Sequence, residues 1–268
     1  MKLMDKLSAL RREKHKMRLF ASRALLRTGM CKLFEIPLPE GPRLRFHPTE
    51  VSATLWVHPR SYCGDAAFVG SRLRPGDTYI DVGANIGHLA LIGAQAVGPS
   101  GRVIAIEPHP RTFRYLRDNV VRNQFANVTL LNAAVGACQG TAFVSSLRND
   151  DMNHVQANSG LPVPMITLDS LPIHGRIALL KTDTEGYEPF VLEGARQLLP
   201  RVDCVYFECS EWNLNRYGKN SRELRSILEE FGFAISKLMP NGSMKAITGD
   251  YDASGGGNLV ACQGQPSY

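Results

Sequence analysis

The chain has 268 residues, of which 44% are hydrophobic and 21% charged, a composition typical of a folded enzyme of ordinary size. Residues 1–34 contain ten lysines and arginines against two acids, a net charge of +8, whereas the whole chain carries +6. The remainder is therefore close to neutral at about −2, which argues against nucleic-acid binding by the main domain.

Residues 1–34 are predicted to form a basic amphipathic helical extension. Arg12, Lys16 and Arg23 lie opposite an apolar stripe that consists of Leu3, Leu7, Leu10, Met17, Ala21, Ala24 and Leu25. The segment has no uninterrupted apolar run, so it is predicted neither to span a membrane nor to act as a secretory signal. Two interpretations remain open: the helix packs on its own domain, or it lies on anionic lipid or a partner.

Residues 35–74 are predicted to form N-terminal strands and loops that cover the active site, beginning with a proline-rich linker at residues 36–42. Four side chains in this region could stack on and hydrogen-bond a sugar, or could equally form one face of a surface strand: Trp56, His58, Arg60 and Tyr62.

Strands and helices alternate through residues 75–268, which predicts an α/β domain with a mostly parallel sheet and helices on both faces. The predicted strands lie near residues 78–82, 102–107, 127–132, 177–183, 203–208, 233–238 and 257–262, and the predicted helices near residues 86–97, 111–123, 188–199 and 221–231. Such sheets bind ligands at the carboxyl ends of their strands, near the point where the strand order reverses.

The first strand of this domain leads into Asp81-Val82-Gly83-Ala84-Asn85-Ile86-Gly87, an acid followed by a glycine turn and a helix. Its DxGxxxG spacing differs from the GxGxxG turn that binds a dinucleotide pyrophosphate. A carboxylate ahead of the turn would repel a phosphate but attract an ammonium. The motif therefore predicts a ligand that combines a nucleoside with an amino acid, namely S-adenosylmethionine.

The second strand ends in Glu107-Pro108, and Glu107 lies 24 residues after Gly83. This is close to the ~20-residue offset at which an acid accepts hydrogen bonds from ribose hydroxyls. Pro108 disfavours helix at Glu107, so the carboxylate is predicted to stay at the strand end.

Three further carboxylates, Asp183, Glu185 and Glu208, follow the fourth and fifth strands and are predicted to converge on the same edge. Like charges that close raise one another's pKa unless a cation intervenes. For Glu185 and Glu188, a cap on the following helix is the alternative interpretation.

Taken in chain order, these segments resemble the FkbM family of S-adenosylmethionine-dependent methyltransferases. The resemblance runs from about Pro75 to Glu208 and rests on residues 81–87, 107–108, 132–136, 166–171 and 181–188. It implies a Rossmann-like class I methyltransferase fold, in which a seven-stranded, mostly parallel sheet has an antiparallel last strand. It also implies O-methylation of a hydroxyl group.

By resemblance, Asp81 and Gly83 lie at the methionine end of the cofactor, and Glu107 lies on the ribose. Asn85 and Gly87 shape the start of the helix, and the Asn132-Ala133 stretch lies beside the adenine. Lys181-Thr182-Asp183 is a departure, because an apolar residue is expected before the aspartate.

For deprotonation of the acceptor hydroxyl, Asp183 is the first candidate base and His154 the second. Alternatively, Asp183 and Glu208 could hold Mg²⁺, which would acidify a bound hydroxyl. The acceptor is expected to be a small molecule or a glycan, such as a sugar or a secondary metabolite. No motif identifies it, and none indicates the oligomeric state.

Two other functions fit the sequence less well. An NAD-dependent oxidoreductase should carry a third close glycine, and the short-chain type a Tyr-x-x-x-Lys pair, neither of which occurs. A membrane- or nucleic-acid-associated binding protein would use the basic extension, but aromatic and basic residues are not interleaved. The six cysteines lack metal-binding spacing and are predicted to be reduced, in a cytoplasmic protein.

Overall fold

The computed structural model describes residues 15–147, 152–239, 243–247 and 251–264. An eight-stranded sheet forms its centre, and a two-stranded and a four-stranded sheet accompany it. Residues 1–14 of the predicted helical extension lie outside the described residues. Within the described part of the chain, no helix is long and apolar enough to cross a bilayer.

The described part of the extension is helical, but it packs through a different face from the one predicted. Helix α1 (Lys16–Thr28) ends at Gly29, whose φ of 71° is the left-handed conformation of a glycine cap. Ser22 is buried and Leu25 and Leu26 pack towards the core. By contrast, Met17, Ala21 and Ala24 of the predicted stripe are exposed. The packed face is thus set by tertiary contacts that the apolar pattern alone did not reveal.

The region after α1 differs from the predicted strands and loops. Strands β1 (Glu35–Pro37) and β2 (Arg43–Arg45) pair antiparallel, and two helices follow, α2 (Glu50–Val57) and α3 (Cys63–Arg72). Thr49 caps α2 by accepting a hydrogen bond from the Ser52 N–H at 3.1 Å. Both helices are short, and the many β-branched and aromatic residues of α2 resemble a strand in composition.

The remaining strands are, in chain order, β3 (Thr78–Val82), β4 (Arg102–Ile106), β5 (Val128–Leu131), β6 (Ala134–Val135), β7 (Gly140–Val144), β8 (Val155–Gln156), β9 (Leu161–Ile166), β10 (Leu179–Thr182), β11 (Cys204–Glu208), β12 (Phe233–Leu238), β13 (Met244–Ala246) and β14 (Asn258–Gln263). The remaining α-helices are α4 (His88–Val97), α5 (Pro110–Arg122), α6 (Glu188–Glu193), α7 (Glu211–Asn215) and α8 (Ser221–Glu230).

The central sheet has the order β13-β12-β14-β11-β10-β3-β4-β5. Strands β3, β4, β5, β10 and β11 are mutually parallel, and β14 is inserted antiparallel between β11 and β12. This confirms the predicted Rossmann-like sheet of seven strands with an antiparallel last strand. The structure adds β13 as an eighth strand, paired antiparallel with β12 at the edge.

Alternate residues of the central strands enter two separate cores. Tyr79 packs in a core that includes residues of α3 and α4, whereas Ile80 and Val82 pack in the core on the opposite face, which includes residues of α6 and α8. Because both faces are covered, the interior positions of β3 and β4 are apolar, and charged residues lie at or near the ends of these strands.

The four-stranded sheet has the order β6-β9-β7-β8. Its strands lie within residues 134–166, where the sequence predicted no strand. Pro162 and Pro164 in β9 argue against a strand when the sequence is considered alone. In the structure β9 pairs with β6 only at Met165 and Ile166, so both prolines lie where β7 is the one paired neighbour. Proline is tolerated there because no second ladder requires its N–H.

Cys204 and Cys262 are register partners on β11 and β14 and form a disulfide, with their Cα atoms 4.2 Å apart. The prediction that all six cysteines are reduced is therefore wrong for this pair. The other four cysteines, Cys31, Cys63, Cys138 and Cys209, are free.

Candidate functional site

A cavity of about 360 Å³ lies at the carboxyl ends of β3, β4, β10 and β11. The strand order reverses between β3 and β10, so the cavity lies where such sheets bind ligands. Its volume falls in the range of small-molecule sites. The structure brings together here most of the residues predicted from the sequence, namely Asp81, Gly83, Asn85, Glu107, Ala133, His154, Asp183 and Glu208.

The turn after β3 depends on Gly83. Its φ is 74°, and the N–H groups of Gly83 and Ala84 both donate to the carbonyl oxygen of Ile106 at 3.0 Å. A Cβ atom at Gly83 would approach the backbone carbonyl oxygen of Asp183 to 1.9 Å. Only glycine therefore lets the end of β3 pass this close to the end of β10.

Gly83→Ala is expected to destabilise the protein by about 3 kcal/mol or more, because it adds a backbone clash to a left-handed conformation. Denaturant unfolding measures this. Gly29→Ala is the matched control, since Gly29 has a φ of +71° and no atom within 4 Å of its Cβ position. Equal losses in the two variants would show that the close approach to Asp183 has no energetic weight.

Asn85 and Gly87 shape the start of α4, as the resemblance implied. Asn85 has a φ of 50°, and its side-chain oxygen accepts from the Ile86 N–H at 2.7 Å. Gly87 has a φ of 94°, and a Cβ there would lie 2.7 Å from a methyl of Leu116. Gly87 does not itself line the cavity and acts through this packing.

The Glu107 carboxylate is held by the backbone. Its two oxygens accept from the N–H groups of His109 and Asn85, each at 2.9 Å. Burial raises the pKa of Glu107 to about 7, against the lowering effect of these two hydrogen bonds. The carboxylate is thus fixed in orientation at the cavity wall before any ligand binds.

Asn132 holds the backbone after β4. Its side-chain amide donates to the carbonyl oxygens of Glu107 and Pro108, at 2.8 and 2.9 Å. Asn132 therefore secures the turn that carries Glu107, whereas its neighbour Ala133 lines the cavity.

Lys181 is the cavity residue that the sequence marked only as a departure. It is the register partner of Asp81, and its ammonium lies 3.0 Å from an Asp81 oxygen and 3.2 Å from the Gly83 carbonyl oxygen. Both side chains are buried. Burial lowers the pKa of Lys181, but Asp81 and Asp183 outweigh it and raise the pKa, so the ammonium persists. Asp81, predicted to await a ligand ammonium, already has one within the protein.

Asp183, Glu185 and Glu208 converge as predicted, with one oxygen of each lying within 4.8 Å of the others. Asn213 bridges two of them, since its amide donates to Glu185 at 2.9 Å and to Glu208 at 3.1 Å. The Lys181 ammonium lies 3.8 Å from a carboxylate oxygen of Asp183. These three acids are called the acid cluster below.

Burial and mutual repulsion raise the pKa of two members of the acid cluster. Burial, then Glu208 and Asp183, raise the pKa of Glu185 to about 8, and burial and Asp183 raise that of Glu208 to about 7. Glu188 begins α6 but makes no capping hydrogen bond to it: its carboxylate accepts from the Thr184 N–H at 2.6 Å and the Thr184 hydroxyl at 2.9 Å, and so holds the turn between β10 and α6. The cluster therefore holds protons near neutral pH unless a cation binds.

Stability is expected to fall as pH rises from about 4.5 to about 8 in metal-free buffer. Over this range the folded state keeps protons on Glu185 that the unfolded chain has already released, so folding is progressively less favoured. Between pH 4.5 and 8, the loss of unfolding free energy in Glu185→Gln should be smaller than in the wild type by about 2–4 kcal/mol. Urea unfolding at several pH values measures it, and an unchanged pH slope in the variant would contradict the assignment.

His154 lies at the cavity from the side of the four-stranded sheet. Its Nδ1 is 3.0 Å from the carbonyl oxygen of Met152, which can only accept, so Nδ1 carries the proton. In the neutral ring Nε2 then has a lone pair available, and His154 stays the second candidate base.

The N-terminal region supplies a wall of the cavity that no motif revealed. Asp65 of α3 accepts one hydrogen bond from the Tyr206 hydroxyl and a second, at 3.3 Å, from the Asn258 amide. Tyr62, Asp65 and Asn258 all line the cavity. These contacts join α3 to β11 and β14, and only the folded chain brings them together.

Comparisons with known proteins agree with this geometry. The family model described as "Methyltransferase FkbM domain" matches residues 81–235. An arsenite methyltransferase of Halobacterium salinarum is 34% identical over 188 residues, 68% of this chain and 43% of that protein. The 31-O-demethyl-FK506 methyltransferase FkbM of Streptomyces tacrolimicus is 49% identical over 57 residues, 21% of this chain and 22% of that protein.

The chain thus spans less than half the length of these two curated relatives. Among solved structures, the O-methyltransferase TomG from Streptomyces achromogenes is similar with a TM-score of 0.44 and 13% identity, covering 75% of this chain and 80% of that chain. The oxidoreductase alternative gains no support from any of these matches.

Proposed function

This chain belongs to the methyltransferase FkbM domain family, and we propose that it transfers a methyl group from S-adenosylmethionine to a hydroxyl group of an uncharged small molecule or glycan. One observation carries the proposal. The Glu107 carboxylate, which the backbone already orients, and Asp183 line the same cavity. They follow β4 and β10, the strands on the two sides of β3 and its Asp81–Gly87 turn.

The cavity residues fit S-adenosylmethionine. Glu107, fixed by two backbone N–H groups, is placed to accept from ribose hydroxyls. Gly83 lets the end of β3 lie against the end of β10, and Lys181 offers an ammonium at the end of the cavity near Asp81. When bound, the cofactor supplies a methyl group on a positively charged sulfur.

The charge of the cavity favours an uncharged acceptor. Six carboxylates line the described part of it, those of Asp65, Asp81, Glu107, Asp183, Glu185 and Glu208, against one ammonium, that of Lys181. Even while the acid cluster holds a proton, the ionised carboxylates outnumber the ammonium, and this excess of negative charge attracts a cationic sulfur and repels phosphate or carboxylate groups on an acceptor. Hydroxyl-rich, uncharged acceptors such as sugars are the class that this surface accepts.

Asp183 is the proposed base. Its side chain is 41% exposed at the cavity, so it can reach an acceptor hydroxyl. The enzyme's main task is to align that hydroxyl with the methyl group at ~3–3.5 Å, and a positioned base adds ~10²- to 10⁴-fold.

A metal-dependent route uses the same residues differently. The oxygen ligands of the acid cluster suit a hard cation such as Mg²⁺, and a bound cation would offset the burial and repulsion that raise the pKa values of Glu185 and Glu208. In that case the cluster would hold the ion, and Asp183 would be a ligand rather than a base.

The test is a methyl-transfer assay with labelled S-adenosylmethionine on fractionated small molecules and glycans, read by mass spectrometry as a gain of about 14 Da. Uncharged polyols and their phosphate esters are compared as acceptors. Methylation confined to phosphorylated acceptors would contradict the charge argument. Activity that survives EDTA supports Asp183 as base, and activity restored by added Mg²⁺ supports the metal route.

A further inference from the structure

The outward face of α1 and the turn that follows it carry a mixed apolar and basic surface. Met17 is 87% exposed and Phe20 54% exposed, and in the turn Met30 is 49% and Leu33 75% exposed. Met17 and Phe20 lie three residues apart on one face of α1, and exposed large apolar side chains usually mark an interaction site when they occur together. Met17, Phe20, Met30 and Leu33 are called the apolar patch below.

The helix geometry shows that this exposure is not a by-product of poor packing. Ser22, Leu25 and Leu26 face the domain, and the basic Arg18 reaches back to the carbonyl oxygen of Trp56 at 3.5 Å. Met17, Phe20 and Ala24 follow one another at spacings of three and four and so share the opposite, exposed face. The helix is therefore anchored on one side and exposes Met17 and Phe20 on the other.

Positive charge surrounds the apolar patch. Residues 15–34 contain five lysines and arginines and no aspartate or glutamate. Four of these basic side chains are exposed and have no role in the cavity: Lys16, Arg23, Arg27 and Lys32. The sequence before residue 15 adds Lys2, Lys6, Arg11, Arg12 and Lys14 against Asp5 and Glu13.

We propose that α1 and the following turn dock on an anionic lipid surface, with the apolar patch inserted among the headgroups and the basic side chains against them. A helix with an apolar face and basic flanks binds in this way, since apolar burial and attraction to anionic lipid act together. Pairing of this face with the same face of a second copy of the chain is disfavoured, because the two basic surfaces would repel each other. Nucleic acid would use the charges but not Met17 or Phe20.

Vesicle co-sedimentation of the full chain tests the proposal, and it requires no methyl acceptor. Binding to vesicles with about one third phosphatidylserine is expected to be at least tenfold tighter than binding to phosphatidylcholine alone. Met17→Ser/Phe20→Ser and Arg23→Gln/Arg27→Gln are each expected to weaken binding to anionic vesicles about tenfold. Both variants change exposed side chains, so their melting temperatures should stay close to wild type.

Helix α5 supplies the matched controls, because Val121 is 68% exposed and Arg114 and Arg117 are exposed on the same helix. Val121→Ser and Arg114→Gln/Arg117→Gln should leave vesicle binding unchanged. Equal binding to neutral and anionic vesicles overturns the proposal, as does full binding by Met17→Ser/Phe20→Ser, which would indicate charge attraction alone. Sedimentation showing that the same variant dissociates a dimer, without any lipid effect, would assign the patch to a second copy instead.

Discussion

Asp183→Asn is expected to lower the rate of methyl transfer by about 10²- to 10⁴-fold, with little change in affinity for S-adenosylmethionine. The asparagine keeps the shape of the side chain but cannot accept the hydroxyl proton. The Asp183 backbone carbonyl that packs against Gly83 is unaffected, so the turn should stay intact. Turnover under saturating cofactor and calorimetric binding of the cofactor measure the two quantities separately.

His154→Ala is the companion variant for this result. If Asp183 is the base, His154→Ala should retain most of the turnover, because His154 then only lines the cavity. Full turnover in Asp183→Asn together with a collapse in His154→Ala would transfer the role of base to the imidazole.

Lys181→Met is expected to destabilise the protein by about 3–5 kcal/mol, because it leaves the buried Asp81 carboxylate without its partner at 3.0 Å. Asp81→Asn should also destabilise the protein, since it leaves a buried ammonium facing an amide. The double variant Asp81→Asn/Lys181→Met removes both charges and should recover much of the loss. Denaturant unfolding of all four proteins gives the coupling between the two sites.

The exposed pair of Arg196 and Glu230, whose atoms lie 2.7 Å apart, is the control for this cycle. Arg196→Met should change stability little, because solvent screens both charges. If Lys181→Met were no more harmful than Arg196→Met, the buried pair would not contribute to holding β3 beside β10. Although Asp81→Asn/Lys181→Met should recover stability, it should bind the cofactor poorly, because it lacks the Lys181 ammonium at the end of the cavity near residue 81.

The residues predicted best from the sequence are those whose roles are local. Gly83 lies in the glycine turn after the first strand and Glu107 follows the next strand, so spacing along the chain indicated both, whereas the roles of Asn85 and Gly87 were implied by the family resemblance. The convergence of Asp183, Glu185 and Glu208 followed from a general rule about strand ends in parallel sheets. No detailed register was needed for either prediction.

The residues that escaped prediction depend on register and tertiary packing. Lys181 meets Asp81 only because β10 and β3 are adjacent with these two residues side by side. The disulfide likewise depends on the register of β11 and β14, which places Cys204 opposite Cys262. Asp65 reaches the cavity from a helix whose sequence resembles a strand or loop, and contacts Tyr206 and Asn258 from distant strands.

Isothermal titration calorimetry with S-adenosylmethionine and NAD tests the central claim most directly, in wild type and in Glu107→Gln. We expect the wild type to bind S-adenosylmethionine and not NAD. Glu107→Gln should weaken binding of S-adenosylmethionine about 10- to 100-fold, because a charged acceptor for the ribose hydroxyls is lost. Binding of NAD in preference to S-adenosylmethionine, or unchanged affinity in a folded Glu107→Gln, would contradict it.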